Sequence, residues 1–82
     1  SKTFSQVVLA PYPNESCMSI GLITSESLTI SRSQMESNEL IPIFVPAAPN
    51  PTVGFMISCK KEQIIFLKMS VEEAIKFIVS CG

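Results

Sequence analysis

Few side chains of this 82-residue chain have the chemistry of a catalyst. Glu72 and Glu73 form an adjacent carboxylate pair of the kind that can serve general acid–base catalysis. Neighbouring helix residues point about 100° apart, and Glu73 completes a capping box with Ser70, so helix capping explains the pair better. The chain has no histidine and no Gly-x-Ser-x-Gly pattern, which removes the commonest general base and a common hydrolase signature. The sequence therefore predicts a protein that is not an enzyme.

The three cysteines give no metal or disulfide pattern. Cys17, Cys59 and Cys81 are odd in number and widely spaced, which fits neither a closed disulfide set nor a zinc site. Their apolar neighbours predict small, buried and reduced structural residues. Lys60-Lys61 directly after Cys59 leaves a reactive thiol open as an alternative. We expect no cofactor and no metal, and free thiols favour a reducing compartment.

Charge and hydropathy narrow the choice of partners. Six basic and seven acidic residues give a net charge of −1 without a basic stripe, so we expect no nucleic-acid binding. The mean hydropathy of +0.38 is high for a domain with a wetted surface. It predicts apolar surface that meets a protein partner, another copy or a membrane-proximal neighbour, with a compact core under a short polar loop as the alternative.

The segment with the strongest recognition character is the proline loop, residues 46–54. Each proline fixes its own φ and pushes the preceding residue toward extended backbone, which predicts a stiff, exposed loop. One interpretation is a rigid crossover, and the other is a docking surface with Asn50 and Thr52 as polar handles. We expect Gly54 to give the backbone room and Phe55 to anchor the loop to the core. The candidate binding residues are Tyr12, Pro46, Pro49, Asn50, Pro51, Thr52, Gly54 and Phe55.

The elements that position this loop predict an α+β fold. Short apolar runs indicate about five mostly antiparallel strands, as a small sheet or a partly open barrel. We expect one hairpin from the first two runs and a second around the turn at 60–63. Pro42 argues for an edge strand or a bulge at that point. The predicted strands are residues 6–10, 18–24, 40–45, 54–59 and 64–69.

One helix, predicted at residues 71–79, follows the strands. Ser70 and Glu73 form its capping box, and Gly82 is well placed to end it. The predicted buried stripe is Val71, Ala74, Ile75, Ile78 and Val79. The serine-rich stretch 25–39 predicts a mobile connection, with a brief strand at 28–30 and a short helix around 34–39 as options.

Several stretches resemble the domain-of-unknown-function family 502. Residues 4–9, 12–13 and 19–24 look like the opening of the soluble part of that family. Residues 44–55 read FVPAAPNPTVGF and are similar to the family's hallmark phrase VFVPTTPNPTSGF. Residues 67–82 resemble its closing phrase, DMSVEDALKLIISGG. The departures are Ala47-Ala48 in place of Thr-Thr, the turn at 59–62, and Cys81 where relatives often have glycine.

The resemblance implies a membrane protein. Members of the family carry two hydrophobic helices before this domain, and the plant relatives are continuous-vascular-ring proteins. We therefore expect residues 1–82 to be a single soluble domain cut from a longer membrane protein. Free cysteines favour the cytoplasmic side for it.

Two functions remain open at this point. The first is a non-enzymatic interaction domain that docks a protein partner or itself through the proline loop. The second is a small-molecule or lipid-binding regulatory module with a pocket under that loop. A deep apolar pocket lined by Tyr12, Asn50 and Phe55 favours the second, and a flat apolar patch repeated across a symmetry axis favours the first.

Overall fold

A computed structural model describes residues 3–25 and 40–82, which form one sheet and one helix. All strand pairings are antiparallel, in the order β4-β3-β2-β1-β5, so the α+β prediction is confirmed. The strand and the short helix considered at 28–30 and 34–39 lie outside the described residues. The elements are β1 (Phe4–Pro11), β2 (Met18–Thr24), β3 (Ile41–Pro46), β4 (Gly54–Cys59), a 3₁₀ helix (Lys61–Gln63), β5 (Ile65–Leu67) and α1 (Val71–Val79).

The prolines of β3 limit its pairing on one side only. β3 lies between β4 and β2, so the expectation that Pro42 marks an edge or a bulge is wrong. β3 pairs with β4 without interruption from Ile41 to Pro46, but with β2 only at Phe44. Alternate residues of a strand turn their N–H groups to opposite neighbours, and Pro42 and Pro46 share the parity of Phe44. Both prolines therefore lack the donors that would extend the ladder to β2.

The expected hairpin between residues 54–59 and 64–69 is also wrong. β5 pairs with β1 at the opposite edge of the sheet, from Val7↔Leu67 to Leu9↔Ile65. Cys59 and Ile64, at the two ends of the connection, are both buried in a cluster with residues of β1, β2 and β3. Because burial of these two side chains fixes the path, the chain packs across the sheet instead of turning back.

The apolar side chains of the sheet divide between its two faces. Successive strand residues point to opposite sides, so Val7 and Val8 belong to different clusters. The second cluster contains Val7, Leu22 and Ala74 and is covered by α1. The first cluster contains Val8, Ala10, Ile23, Ile41, Ile43, Val45, Cys59 and Ile64.

The capping box at the start of α1 is confirmed. The Ser70 hydroxyl accepts from the Glu73 N–H at 3.1 Å, and the Glu73 carboxylate accepts from the Ser70 N–H at 2.9 Å. These hydrogen bonds lower the pKa of Glu73 from its usual value. Ala74 and Ile78 are buried as predicted, whereas Val79 is exposed and does not belong to the buried stripe.

α1 is terminated by the residue before the glycine that the sequence predicted. Cys81, not Gly82, takes the first left-handed backbone conformation, with a φ of 62°. The Cys81 N–H donates to the Ile78 carbonyl at 3.1 Å, and the Gly82 N–H donates to the Phe77 carbonyl at 2.8 Å. This is the Schellman pattern of helix termination, in which glycine usually occupies the position that Cys81 holds here.

Candidate functional site

Two loops with the same local sequence lie at one end of the sheet. β1 and β3 are each antiparallel to β2, so the C-terminal ends of both strands lie at the same end of the sheet. The loops that follow contain Pro13-Asn14-Glu15-Ser16 and Pro49-Asn50-Pro51-Thr52, a shared Pro-Asn-x-Ser/Thr pattern. The peptide bond before Pro13 and the one before Pro49 are both cis. The β1–β2 loop, residues 12–17, is thus a structural counterpart of the proline loop.

The asparagine of each loop organises a tight turn. Asn50 Oδ1 accepts from the Thr52 N–H at 3.1 Å and from the Thr52 hydroxyl at 2.5 Å. Asn14 Oδ1 accepts from the N–H and the hydroxyl of Ser16 at 2.9 and 2.5 Å. The Val53 N–H then donates to the Asn50 carbonyl at 3.3 Å. Both loops therefore contain an asparagine-capped turn, which fixes the backbone locally.

The hydrogen bonds of the proline loop determine what it can present. Asn50 and Thr52, the predicted polar handles, bond to each other and shape the turn. The Ala47 N–H donates to the Val53 carbonyl at 2.8 Å, which closes the loop between paired strands. The loop is therefore a hairpin connection and not a crossover. Its exposed side chains include the apolar groups of Pro49 and Val53.

An open, mainly apolar groove of about 730 Å³ runs along the base of these loops. The ring of Tyr12 in the β1–β2 loop packs against that of Phe55 in β4, next to the proline loop, with centroids 5.5 Å apart. The C-terminal end of α1 forms the opposite side of the groove. Lining residues include Leu9, Tyr12, Met18, Ile20, Pro46, Ala47, Ala48, Phe55, Leu67, Met69, Phe77, Ile78 and Cys81.

The groove gathers only some of the predicted binding residues. Tyr12, Pro46 and Phe55 line it. The lining does not include Gly54 or the turn residues of the proline loop, Pro49, Asn50, Pro51 and Thr52. Sequence reasoning missed the contributions of Met18, Phe77 and Cys81. For Phe77 the signal was its position outside the predicted buried stripe of the helix, which leaves an aromatic side chain available to line a surface site.

Phe55 does not anchor the proline loop to the core, contrary to expectation. Its side chain is 62% exposed, and that of Met56 is 68% exposed. Both belong to β4, whose outer side has no neighbouring strand within the described residues. Gly54 does give the backbone the room that the sequence predicted. A Cβ at this position would lie against the Val45 carbonyl oxygen, far inside van der Waals contact.

The cysteines are free, but only Cys59 is buried. Burial raises the pKa of the Cys59 thiol, which disfavours the reactive-thiol alternative. The expectation of burial is wrong for Cys17 and Cys81, which are exposed. Within residues 3–25 and 40–82, no three histidine, cysteine or acidic side chains are grouped to hold a metal ion.

Comparison with known protein families identifies the family of the chain. Residues 1–53 match the family described as "Protein of unknown function (DUF502)". The chain belongs to the DUF502 family. The DUF502 match covers β1, β2, β3 and the proline loop as far as Val53. No curated protein and no solved structure matches the chain.

Between residues 3 and 25 and between 40 and 82, no helix is both long and apolar enough to cross a bilayer.

Proposed function

We propose that this DUF502 domain is a non-enzymatic interaction domain that docks a protein partner or another copy of itself. The docking surface consists of the proline loop and the strand β4 that follows it. One observation carries the proposal: the loop leads into an edge strand whose residues Phe55 and Met56 are both largely exposed. Since these residues point to opposite faces of the strand, β4 is apolar on both sides.

The loop contributes shape to this surface. The asparagine-capped turn and the closing Ala47–Val53 hydrogen bond fix its backbone before any partner arrives. A loop that is already in its bound conformation loses little entropy on docking. Val53, which is 54% exposed, continues the apolar surface of β4 onto the loop.

The proposal includes a membrane-anchored parent protein, with this domain on the cytoplasmic side. The membrane anchor rests on the two hydrophobic helices that the family resemblance implies, and the cytoplasmic side rests on three free thiols, of which two are exposed. Exposed thiols stay reduced in the cytoplasm and become oxidised in secretory compartments. Attachment to a membrane would also concentrate the domain near its partner.

A charge on the proline loop tests the docking surface. We expect Val53→Asp in the full-length protein to weaken association by about tenfold, because docking would bury an unpaired carboxylate. Association is measured by cross-linking or energy transfer in membranes. The matched control is Cys17→Asp, since Cys17 holds the same position in the asparagine-capped turn of the β1–β2 loop.

Two outcomes contradict the docking surface. One is equal weakening by Val53→Asp and Cys17→Asp. The other is a loss of association by Val53→Asp that only follows a loss of folded protein, as measured by circular dichroism. Unchanged unfolding midpoints with selective weakening by Val53→Asp support it.

The groove favours a second candidate function, binding of a small apolar molecule or a lipid. Its size is within the range of small-molecule sites, and most of its lining side chains are apolar. The Tyr12–Phe55 ring pair gives it a partly rigid wall. This corresponds to the regulatory-module hypothesis, although Asn50 does not take part.

A pair of helix variants tests the groove. Phe77 lines it and Val79 does not, while both side chains are about half exposed, at 48% and 52%. We expect Phe77→Glu to weaken binding of a fluorescent fatty acid by about tenfold and Val79→Glu to leave it unchanged. Equal effects of the two variants, or no saturable binding by the unchanged chain, contradict this candidate.

A further inference from the structure

Within residues 3–25 and 40–82, no strand pairs with the outer side of β4, and three of its residues turn their backbone groups that way. The Ala47 N–H to Val53 carbonyl bond identifies 47 and 53 as a hydrogen-bonded pair of the β3–β4 ladder. Because such pairs alternate along antiparallel strands, Phe55, Ile57 and Cys59 turn their backbone groups toward β3. The N–H and C=O groups of Gly54, Met56 and Ser58 therefore point away from the sheet. This row of donors and acceptors is a template for another strand.

We infer that the strand which pairs with β4 is β4 of a second copy, in an antiparallel arrangement across a two-fold axis. This inference rests on the proposed docking function and names its partner. With the axis at Met56, Met56 faces its own counterpart and Gly54 faces Ser58 of the other copy. In this register each outward-pointing residue of one strand pairs with an outward-pointing residue of the other. The edge is thus complementary to itself.

The side chains agree with this register. Phe55 of each copy lies opposite Ile57 of the other, and pairs of aromatic and β-branched residues stabilise antiparallel strands. The stretch Gly54–Cys59 contains no charged residue and no proline, the usual features that prevent edge strands from pairing. Lys60 and Lys61 follow β4, so the antiparallel arrangement keeps the lysines of the two copies at opposite ends of the joint.

The area of this contact indicates a weak dimer. Phe55 and Met56 are 62% and 68% exposed. At roughly 200 Å² for each side chain, two copies offer roughly 500 Å² from these residues. Stable complexes bury about 1,200–2,000 Å². Pairing is therefore weak between free chains and becomes effective when both copies are held in the same membrane, where the local concentration is high.

Sedimentation equilibrium of the chain tests the pairing. We expect reversible dimers as the concentration approaches about 1 mM, and about a tenfold rise in the dissociation constant for Met56→Lys. The substitution leaves the ladder to β3 intact, because the backbone groups of Met56 point outward. The matched control is Ile65→Lys, since Ile65 lies on the opposite edge strand and is 54% exposed. This control should dimerise like the unchanged chain.

The inference is overturned if the unchanged chain stays monomeric at about 1 mM, or if Met56→Lys and Ile65→Lys weaken dimers equally. A monomeric chain combined with selective loss of association for Val53→Asp in the full-length protein also overturns it. In that case the docking function stands and the partner is a different protein.

Discussion

The sheet has two edges, and they differ in length and in cover. β4 spans Gly54–Cys59, six residues, and from Gly54 to Met56 each is exposed. β5 spans only Ile65–Leu67, and Leu67 packs into the cluster beneath α1. Both edges expose apolar side chains, namely Phe55 and Met56 on one and Ile65 and Phe66 on the other. Apolar exposure alone therefore does not distinguish them.

The difference between the edges lies in the backbone. Three residues offer too few outward-pointing N–H and C=O groups to hold a new strand, and very short edge strands are a known protection against pairing. β4 offers three such residues in an uninterrupted, uncharged row. We therefore expect an edge strand to pair with another chain only where apolar exposure and an open ladder coincide.

The largest expected effect comes from detaching β4 from β3. A methyl group at position 54 would collide with the Val45 carbonyl, so Gly54→Ala forces the two backbones apart. We expect the free energy of unfolding to fall by about 2–3 kcal/mol and association to disappear. Denaturant unfolding measures the first effect and sedimentation the second.

Gly21→Ala is the control for this prediction. A methyl group there would press on the buried Ile43 side chain in the core, not on the backbone of the β3–β4 hairpin. It should therefore also lower the free energy of unfolding, but the folded Gly21→Ala chain should associate like the unchanged chain. Equal loss of association by the folded fractions of Gly21→Ala and Gly54→Ala contradicts the account of the β4 edge.

Near the other edge, the capping box stabilises α1, the helix that covers the Leu67 side chain of β5. Ser70→Ala removes the hydroxyl that accepts from the Glu73 N–H, so we expect a loss of about 1 kcal/mol in unfolding free energy. Association through β4 should not change, because α1 packs against β1, which lies next to β5 at the opposite edge of the sheet. An unchanged thermal midpoint would show that the cap contributes nothing to stability.

The end of the same helix can be improved. Cys81 is held at a φ of 62°, where glycine has no steric cost. We expect Cys81→Gly to raise the unfolding free energy by about 0.5–1 kcal/mol, since relief of this strain exceeds the extra entropy of glycine in the unfolded chain. Cys81→Ala keeps the strain and serves as the control. A destabilised glycine variant contradicts the assignment of the helix end.

The smallest effect is a pH dependence of the cap. The pKa of Glu73 is lowered in the folded chain, so the ionised carboxylate contributes to the stability of the fold at pH values above its usual pKa of 4.5. It is lost as the pH falls through the lowered folded value. Glu73→Gln keeps an acceptor for the Ser70 N–H, and its thermal midpoint should fall less than that of the parent between pH 6 and 3. Parallel pH profiles for the two chains contradict this role.

Local patterns predicted most elements of the fold. The bounds of β2, β4 and α1 are those that the sequence indicated, because strand alternation and a capped helical stripe are local signals. Two predictions from the sequence are wrong because the outcome depends on residues that are far apart in the chain. The position of β5 depends on the burial of Cys59 and Ile64 against other strands, and the interior position of β3 depends on which neighbour its prolines face.

The candidate site was less predictable. The sequence indicated the proline loop and its turn-forming Asn50, since both depend on residue type at a fixed spacing. It did not indicate that Phe55 is exposed, because burial on a strand depends on whether another strand covers it. The sequence did not indicate the groove for a similar reason: Met18 and Phe77 line the same groove only once the helix has docked on the sheet.

Disulfide trapping tests the β4 edge most directly. In a Cys17→Ser, Cys81→Ser background, Met56→Cys places two thiols opposite each other across the proposed two-fold axis. Paired residues there have Cα atoms about 5.5 Å apart, within the range of a disulfide. Ser58→Cys is the control, since its thiols would lie about 13 Å apart along the strands. The account predicts covalent dimers from Met56→Cys and few from Ser58→Cys under mild oxidation. No dimer from Met56→Cys, or equal yields from both variants, would contradict it.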